Sequence, residues 1–148
     1  MTTVASTLKS MACDSSYTHT GGMQFEGGAK MIKLSKEVAE AVFGTKKAIV
    51  GGAGDASSLG SAWQWFVDPS GKIPKVKGSE FIALTTDGLN TSFNLVNWIK
   101  VQQDYYAIGS GMHFAAAALE VGKSSAKAVE VAMKFDPGTN FTIHEYKL

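Results

Sequence analysis

The chain has 148 residues, 45% of them hydrophobic and 18% charged, with 14 basic and 13 acidic residues and a formal net charge of +1. That length supports one substantial core and excludes two ordinary domains, so a single domain over residues 1–148 is expected. Every strongly basic residue is a lysine, so the planar fork that reads phosphate or guanine is missing and a nucleic-acid partner is not expected. Cys13 is the sole cysteine, which excludes an intrachain disulfide and fits a reducing compartment.

No apolar run reaches the length of a membrane span, and Met1-Thr2-Thr3-Val4-Ala5 lacks the basic start and apolar middle of a secretory signal. A cytoplasmic protein without a membrane partner is expected. Methionine ahead of threonine is normally trimmed, which would leave Thr2 first in the chain. A chain that begins with threonine carries a hydroxyl nucleophile and an amine base on one residue.

Thr2 to Leu8 and Met11 to Asp14 flank the polar pair Lys9-Ser10 and read as a hairpin at the start of the chain. Ser15 to Gly28 is polar and glycine-rich, a loop by composition, and Lys30 to Leu34 is strand-like. Ser35 caps a short helix over Lys36 to Phe43 that stops at Gly44, and Lys47 to Val50 is an apolar strand. The turn Gly51-Gly52-Ala53-Gly54 leads to Asp55, a helix cap, after which Leu59, Ala62, Trp63, Phe66 and Val67 recur at helical steps. Asp68-Pro69-Ser70-Gly71 ends that helix and a lysine-bearing loop runs to Ser79. Phe81 to Thr86, the turn Asp87-Gly88 and Thr91 to Trp98 form a second hairpin, followed by a strand at Tyr105 to Ile108.

Gly109-Ser110-Gly111 precedes an alanine-rich helix over Met112 to Val121, closed by Gly122. Ser124 or Ser125 caps the next helix, with Ala128, Val129, Ala132 and Met133 on its inner face, and Asp136-Pro137-Gly138 halts it. Phe141 to Tyr146 alternates as a final strand. The order describes an α+β domain with mainly antiparallel sheets and helices outside.

Strings distributed along nearly the whole chain resemble the β-type subunits of the proteasome and HslV, members of the amino-terminal nucleophile (Ntn) hydrolases. In that family a threonine opens the first strand of a hairpin, an aspartate ends the second, and a lysine opens the third. Thr2, Asp14 and Lys30 match those places, and the Asp14 to Lys30 separation matches the family spacing. Val50-Gly51-Gly52-Ala53-Gly54-Asp55-Ala56 is similar to the segment that supplies an oxyanion-hole amide, which assigns the donor to Gly51. Ile108-Gly109-Ser110-Gly111 is similar to the turn whose serine sits beside the nucleophile, which assigns Ser110. Asp136 and Thr139 match the family's aspartate and hydroxyl residue after its last helix.

The resemblance implies a four-layer αββα sandwich. It further implies a threonine peptidase whose Thr2 hydroxyl is acylated, with its own α-amine as base. Tyr17, Gly28, Ile32, Ile49 and Ala53 are implied as the pocket for an apolar side chain before the scissile bond, and Thr18 as a pairing position for the substrate backbone. It implies a peptide or unfolded-protein substrate, a homo-oligomer, an ATPase unfoldase as a candidate partner, and no cofactor or metal. The alternative is a catalytically inactive, ring-forming or interaction protein. The family's second helix between the fourth strand and the next hairpin has no room here, which leaves Trp63, Trp65 and Phe66 to face another subunit.

The chemistry is coherent without the resemblance. An α-amine with a pKa of about 7.7–8.0 is partly unprotonated near neutrality and can accept a hydroxyl proton. An ammonium such as Lys30 favours the alkoxide, and Asp14 can hold that lysine. Taken singly, Asp14 also suits a turn and Lys30 a solvated strand edge, while Ile32, Ile49 and Ala53 suit ordinary core. Gly52-Ala53-Gly54 with Ser57 imitates a dinucleotide-binding turn but lacks the third glycine and a parallel βαβ unit. His19, His113 and His144 lack metal-ligand spacing. Cys13 is expected to be a small core residue.

Overall fold

The computed structural model describes residues 2–18 and 22–148, so the readings of Met1 and His19 lie outside the described residues. β1 (Thr3–Thr7) and β2 (Ser10–Cys13) form the expected opening hairpin, with Val4 opposite Cys13 and Ser6 opposite Met11. β10 (Tyr105–Gly109) pairs with the free edge of β1, and β11 (His144–Lys147) with that of β2, giving an antiparallel sheet in the order β10-β1-β2-β11. A second antiparallel sheet runs β5 (Met31–Lys33), β6 (Ala48–Ala53), β7 (Glu80–Thr85), β8 (Gly88–Ser92) and β9 (Ile99–Lys100) in chain order.

Side chains alternate across each strand, and this alternation separates three cores. Val4, Met11, Cys13, Ile49, Ile82, Leu84 and Ile108 fill the space between the sheets. Val50, Phe81 and Ala83 point the other way, onto α1 (Lys36–Phe43) and α2 (Ala56–Val67). Ala5, Ala12 and Ala107 pack beneath α3 (Met112–Glu120) and α4 (Ser125–Phe135). The small alanine faces let α3 and α4 lie close to their sheet. The result is the four-layer αββα sandwich.

The helix boundaries follow their caps. Ser35 accepts from the Val38 N–H, and Gly44, at φ 70°, ends α1 in the left-handed conformation that glycine adopts without strain. Asp55 caps α2 through the Ser58 N–H. Ser124, not Ser125, caps α4 through the Lys127 N–H, and Ser125 is buried at 2.6 Å from the Ser10 hydroxyl.

Several segments depart from the sequence reading; the final strand begins only at His144, because Phe141, at φ 69°, cannot continue a strand. Residues 15–28 are not all loop: β3 (Ser16–Thr18) and β4 (Gln24–Glu26) pair antiparallel, with Tyr17 stacked on Phe25 at a centroid distance of 5.7 Å. Strands of three residues are too short to show a period. β6 continues through Gly51-Gly52-Ala53, and the chain turns only at Gly54, whose φ is 134°. The glycines serve close packing instead of a turn, since a Cβ on Gly51 would lie 2.7 Å from both Met11 Sδ and Val4 Cγ1. β8 begins at Gly88, and residues after Ser92 leave the sheet because the Ser92 hydroxyl and Asn94 side chain accept local amides from Leu95, Val96 and Asn97.

No second helix lies between β6 and β7. The chain itself covers Phe66, which corrects the expectation that this ring faces a partner. Phe66 is 1% exposed, Val76 5%, and Trp63 and Trp65 are half-buried against the same cluster as Ile73 and Trp98. Trp65 Nε1 donates to the Gly71 carbonyl at 3.3 Å. Among the described residues no helix is long and apolar enough to cross a membrane.

Replacing Gly51 with alanine should overpack the inter-sheet core, because branched Val4 cannot swing aside as Met11 can. A loss of about 1–3 kcal/mol is expected, lowering Tm by several degrees in a thermal melt.

Candidate active site

Thr2 sits where the ends of β1, β6 and β10 converge. Gly109, with φ 96°, lets the end of β10 pass the Thr2 carbonyl, where a Cβ would overlap it, and a Cβ on Gly111 would overlap Thr3 Oγ1. The glycines flanking Ser110 therefore allow its hydroxyl to reach Thr2. The Thr2 N–H donates to Ser110 Oγ at 3.2 Å, and Ser110 Oγ donates to Asp136 Oδ2 at 2.6 Å. Thr139 Oγ1 donates to the same carboxylate oxygen at 2.6 Å and lies 2.7 Å from Thr3 Oγ1. Burial raises the Asp136 pKa, but bonds from Ser110, Thr139 and the Gly138 N–H outweigh it and hold the carboxyl below its ordinary range.

The Thr2 side chain faces a different partner. The Lys30 ammonium, 1% exposed, donates to Thr2 Oγ1 and to the Ser16 carbonyl, and lies 3.4 Å from Asp14 Oδ1. It also sits 4.8 Å from the Tyr17 ring centroid. Burial lowers the Lys30 pKa, with Asp14 opposing the shift. Asp14 is fully buried and saturated with donors: Oδ1 takes the Thr3 N–H at 3.0 Å, and Oδ2 the N–H groups of Ser16 and Asn140, each at 3.1 Å. Cys13, a member of the inter-sheet core, accepts from the Lys30 N–H at 3.4 Å, and burial pushes its thiol pKa up to about 12. A thiol so held remains protonated.

Thr2 is only 4% exposed, yet it lines two cavities. One, of about 360 Å³, is walled by Tyr17, Thr18, Phe25, Lys30 and Leu59, and the other, of about 650 Å³, by Ala53, Val76, Glu80, Phe93 and Ser110. Gly54 borders both. The structure thus gathers Asp14, Lys30, Ser110, Asp136 and Thr139 around Thr2, with Tyr17, Thr18 and Ala53 on the adjoining walls.

Four expected positions lie elsewhere. Gly51 borders neither cavity. The Gly52 amide donates to the Lys30 carbonyl at 3.0 Å, so by strand alternation the Gly51 amide faces β7, opposite Ile82, inside the sheet ladder. The continuation of β6 carries the backbone two to three residues past Gly51 before it meets Thr2. Ile49 is fully buried between the sheets and Ile32 packs beneath the helices, so both are core and not cavity wall. Gly28 is exposed, and a Cβ there would meet open space.

Residues that pattern reading missed include Thr3, the Ser16 carbonyl, the Asn140 amide, Phe25, Leu59 and Glu80. Backbone partners such as Ser16 and Asn140 leave no side-chain signature. Phe25 was legible in principle, as an aromatic at the β4 position opposite Tyr17.

No protein-family model and no curated protein sequence matches the chain. Solved structures do. Eukaryotic HslV from Trypanosoma brucei superposes with a TM-score of 0.68 at 18% identity, covering 99% of this chain and 98% of its own. BPH from Thiobacillus denitrificans gives 0.72 at 11% identity, over 99% of this chain and 96% of its own. The fold is that of the proteasome-like Ntn hydrolases. Anbu, an ancestral β-subunit, from Yersinia bercovieri shares this fold with a TM-score of 0.70 at 11% identity, over 99% of this chain and 81% of its own.

Two predictions follow from the charge arrangement. Asp14→Asn removes the counter-charge of a buried ammonium and presents an amide nitrogen to a backbone donor. It should cost about 3–5 kcal/mol in urea unfolding. The Asp136 carboxyl, depressed in the fold, stabilises the protein fully above its unfolded pKa and loses that contribution as pH falls through the folded value. The stability gap between wild type and Asp136→Asn should therefore be constant near neutrality and shrink below about pH 4, read as Tm against pH.

Proposed function

We propose that the chain is a threonine peptidase acting through Thr2 after removal of Met1. The observation that carries this reading is the division of labour at Thr2: its oxygen rests on the Lys30 ammonium while its nitrogen rests on Ser110, which Asp136 holds in turn. Once free, the α-amine accepts the Oγ1 proton, and Oγ1 attacks the scissile carbonyl to form a tetrahedral oxyanion. Collapse breaks the C–N bond as the protonated amine returns its proton to the leaving amine. Water then hydrolyses the Thr2 ester by the reverse sequence, releasing the acid and restoring the hydroxyl.

Lys30 favours the alkoxide electrostatically, and its burial strengthens that effect. Asp14 is a positioning residue for Lys30. Ser110, Asp136 and Thr139 orient the amine. The oxyanion donor belongs to the Gly54–Ala56 backbone where α2 begins, in place of Gly51, because that segment borders the Thr2 cavities. The Tyr17, Phe25 and Leu59 wall suits an apolar residue before the scissile bond, and Thr18 is the backbone-pairing position.

A homo-oligomer accompanies this reading. Phe114 and Phe135 stack at 5.3 Å on the outer face of α3 and α4, both exposed beside Val121, and Anbu from Pseudomonas aeruginosa forms a helical assembly. A cytoplasmic setting, a peptide or unfolded-protein substrate and an ATPase unfoldase complete the proposal. Retention of Met1 would convert the Thr2 amine to an amide and leave the alternative, an inactive interaction protein.

BPH has been solved with epoxomicin, which makes that epoxyketone the natural probe. Intact mass should show loss of methionine and a single adduct that maps to Thr2. Thr2→Ala should retain its fold by circular dichroism, lose the adduct, and lose peptide cleavage by at least about a thousandfold. Undiminished cleavage in that variant would overturn the proposal. Cleavage by wild type should fall as pH drops below about 7, as the amine is protonated.

A further inference from the structure

The larger cavity has no assigned ligand, and the proposed chemistry gives it an orientation. The leaving amine must receive its proton from the Thr2 nitrogen. That nitrogen is held by Ser110, which lines the larger cavity, whereas Thr2 Oγ1 is held by Lys30, which lines the smaller one. The residue after the scissile bond therefore extends into the larger cavity, on the proton-donating side.

Glu80 stands in that cavity at the first position of β7, directly opposite Ala53. Ala53 in turn touches the position a Gly109 Cβ would occupy, against the Thr2 carbonyl, and Thr2 and Glu80 line the same cavity. Tyr106 Oη donates to Glu80 Oε1 at 3.3 Å. The Thr91 hydroxyl, 3.5 Å from the same oxygen, has its better acceptor in the Phe81 carbonyl at 2.9 Å. Among the described residues Oε2 has no hydrogen-bond partner and no cation pairs with Glu80. Lys77, the other charged residue on the cavity, is exposed and does not pair with it.

Glu80 is half-buried, and burial raises its pKa against the donors that lower it. A carboxylate short of solvent gains more from a cation than one in open water. The rest of the cavity suits the stem of such a cation: Ala53 and Val76 are apolar and buried, and the Phe93 ring, 61% exposed, offers a face to an ammonium or guanidinium.

We propose that this cavity is the leaving-side subsite and that Glu80 selects lysine or arginine as the residue following the scissile bond. The inference rests on the threonine-peptidase reading and names the substrate class of that site.

The test is a series of peptides identical except for that residue (Lys, Arg, Ala or Glu), cleaved by the purified protein and by Glu80→Gln and Glu80→Lys. Wild type should favour Lys and Arg over Ala by about tenfold in kcat/KM. The isosteric Gln variant should level that ratio, and the Lys variant should reverse it toward Glu. Peptides that are cleaved without a basic preference, or a preference that survives Glu80→Gln, overturn this inference alone. Absence of all cleavage together with absence of a Thr2 adduct overturns the threonine-peptidase reading and this inference with it.

Discussion

One buried ammonium organises the centre of this molecule. Removing a lysine head from water costs several kcal/mol, and at Lys30, 1% exposed, that cost is offset by groups that include Asp14, the Ser16 carbonyl and Thr2 Oγ1. Asp14 can play its part only while three backbone amides, from Thr3, Ser16 and Asn140, hold its carboxylate. Those amides come from the start of β1, the start of β3 and the chain just after α4. The charge thus ties three distant stretches to one point, and Thr2 is fixed by the same network.

The second constraint is close approach. Two sheets pack with Gly51 of β6 against Val4 and Met11, and the end of β10 passes Thr2 through Gly109 and Gly111. Each glycine removes a side chain that would otherwise hold the strands apart. As a consequence Thr2 is nearly enclosed, yet it forms the ridge between two cavities with different walls. In the proposed chemistry that ridge separates the acyl and leaving sides of a substrate, and the two polar sets around Thr2 divide in the same way. Lys30 serves the oxygen and Ser110 with Asp136 serves the nitrogen.

Much of this was legible in the chain. The Ser35, Asp55 and Gly44 caps marked helix ends because capping is a local interaction between neighbours in sequence. The Asp14 to Lys30 spacing and the Gly109-Ser110-Gly111 turn pointed to the site through their resemblance to the family pattern. The reading failed where a residue's role depends on a neighbour far along the chain. Gly51-Gly52 looks like a turn locally, and only the opposing Val4, Met11, Leu59 and Phe81 make it a strand in tight packing. Ile32 and Ile49 look like pocket wall until the faces of β5 and β6 are assigned. Phe66 looked uncovered because the segment after α2 has no period, although Val76 and Ile73 join the cluster that buries it.

The amino-acid sequence by itself determined the α+β class, the four helices with their caps, and the alternation that splits the longer strands into two faces. These depend on propensity, caps and periodicity, which act within a few residues. Only the tertiary structure decided which groups gather at Thr2, which cavity receives Glu80, and that Lys30 is buried beside Asp14, the Ser16 carbonyl and Thr2 Oγ1. Those outcomes depend on how separate strands cross and register, and the energy that selects them comes from contacts between residues up to 136 positions apart.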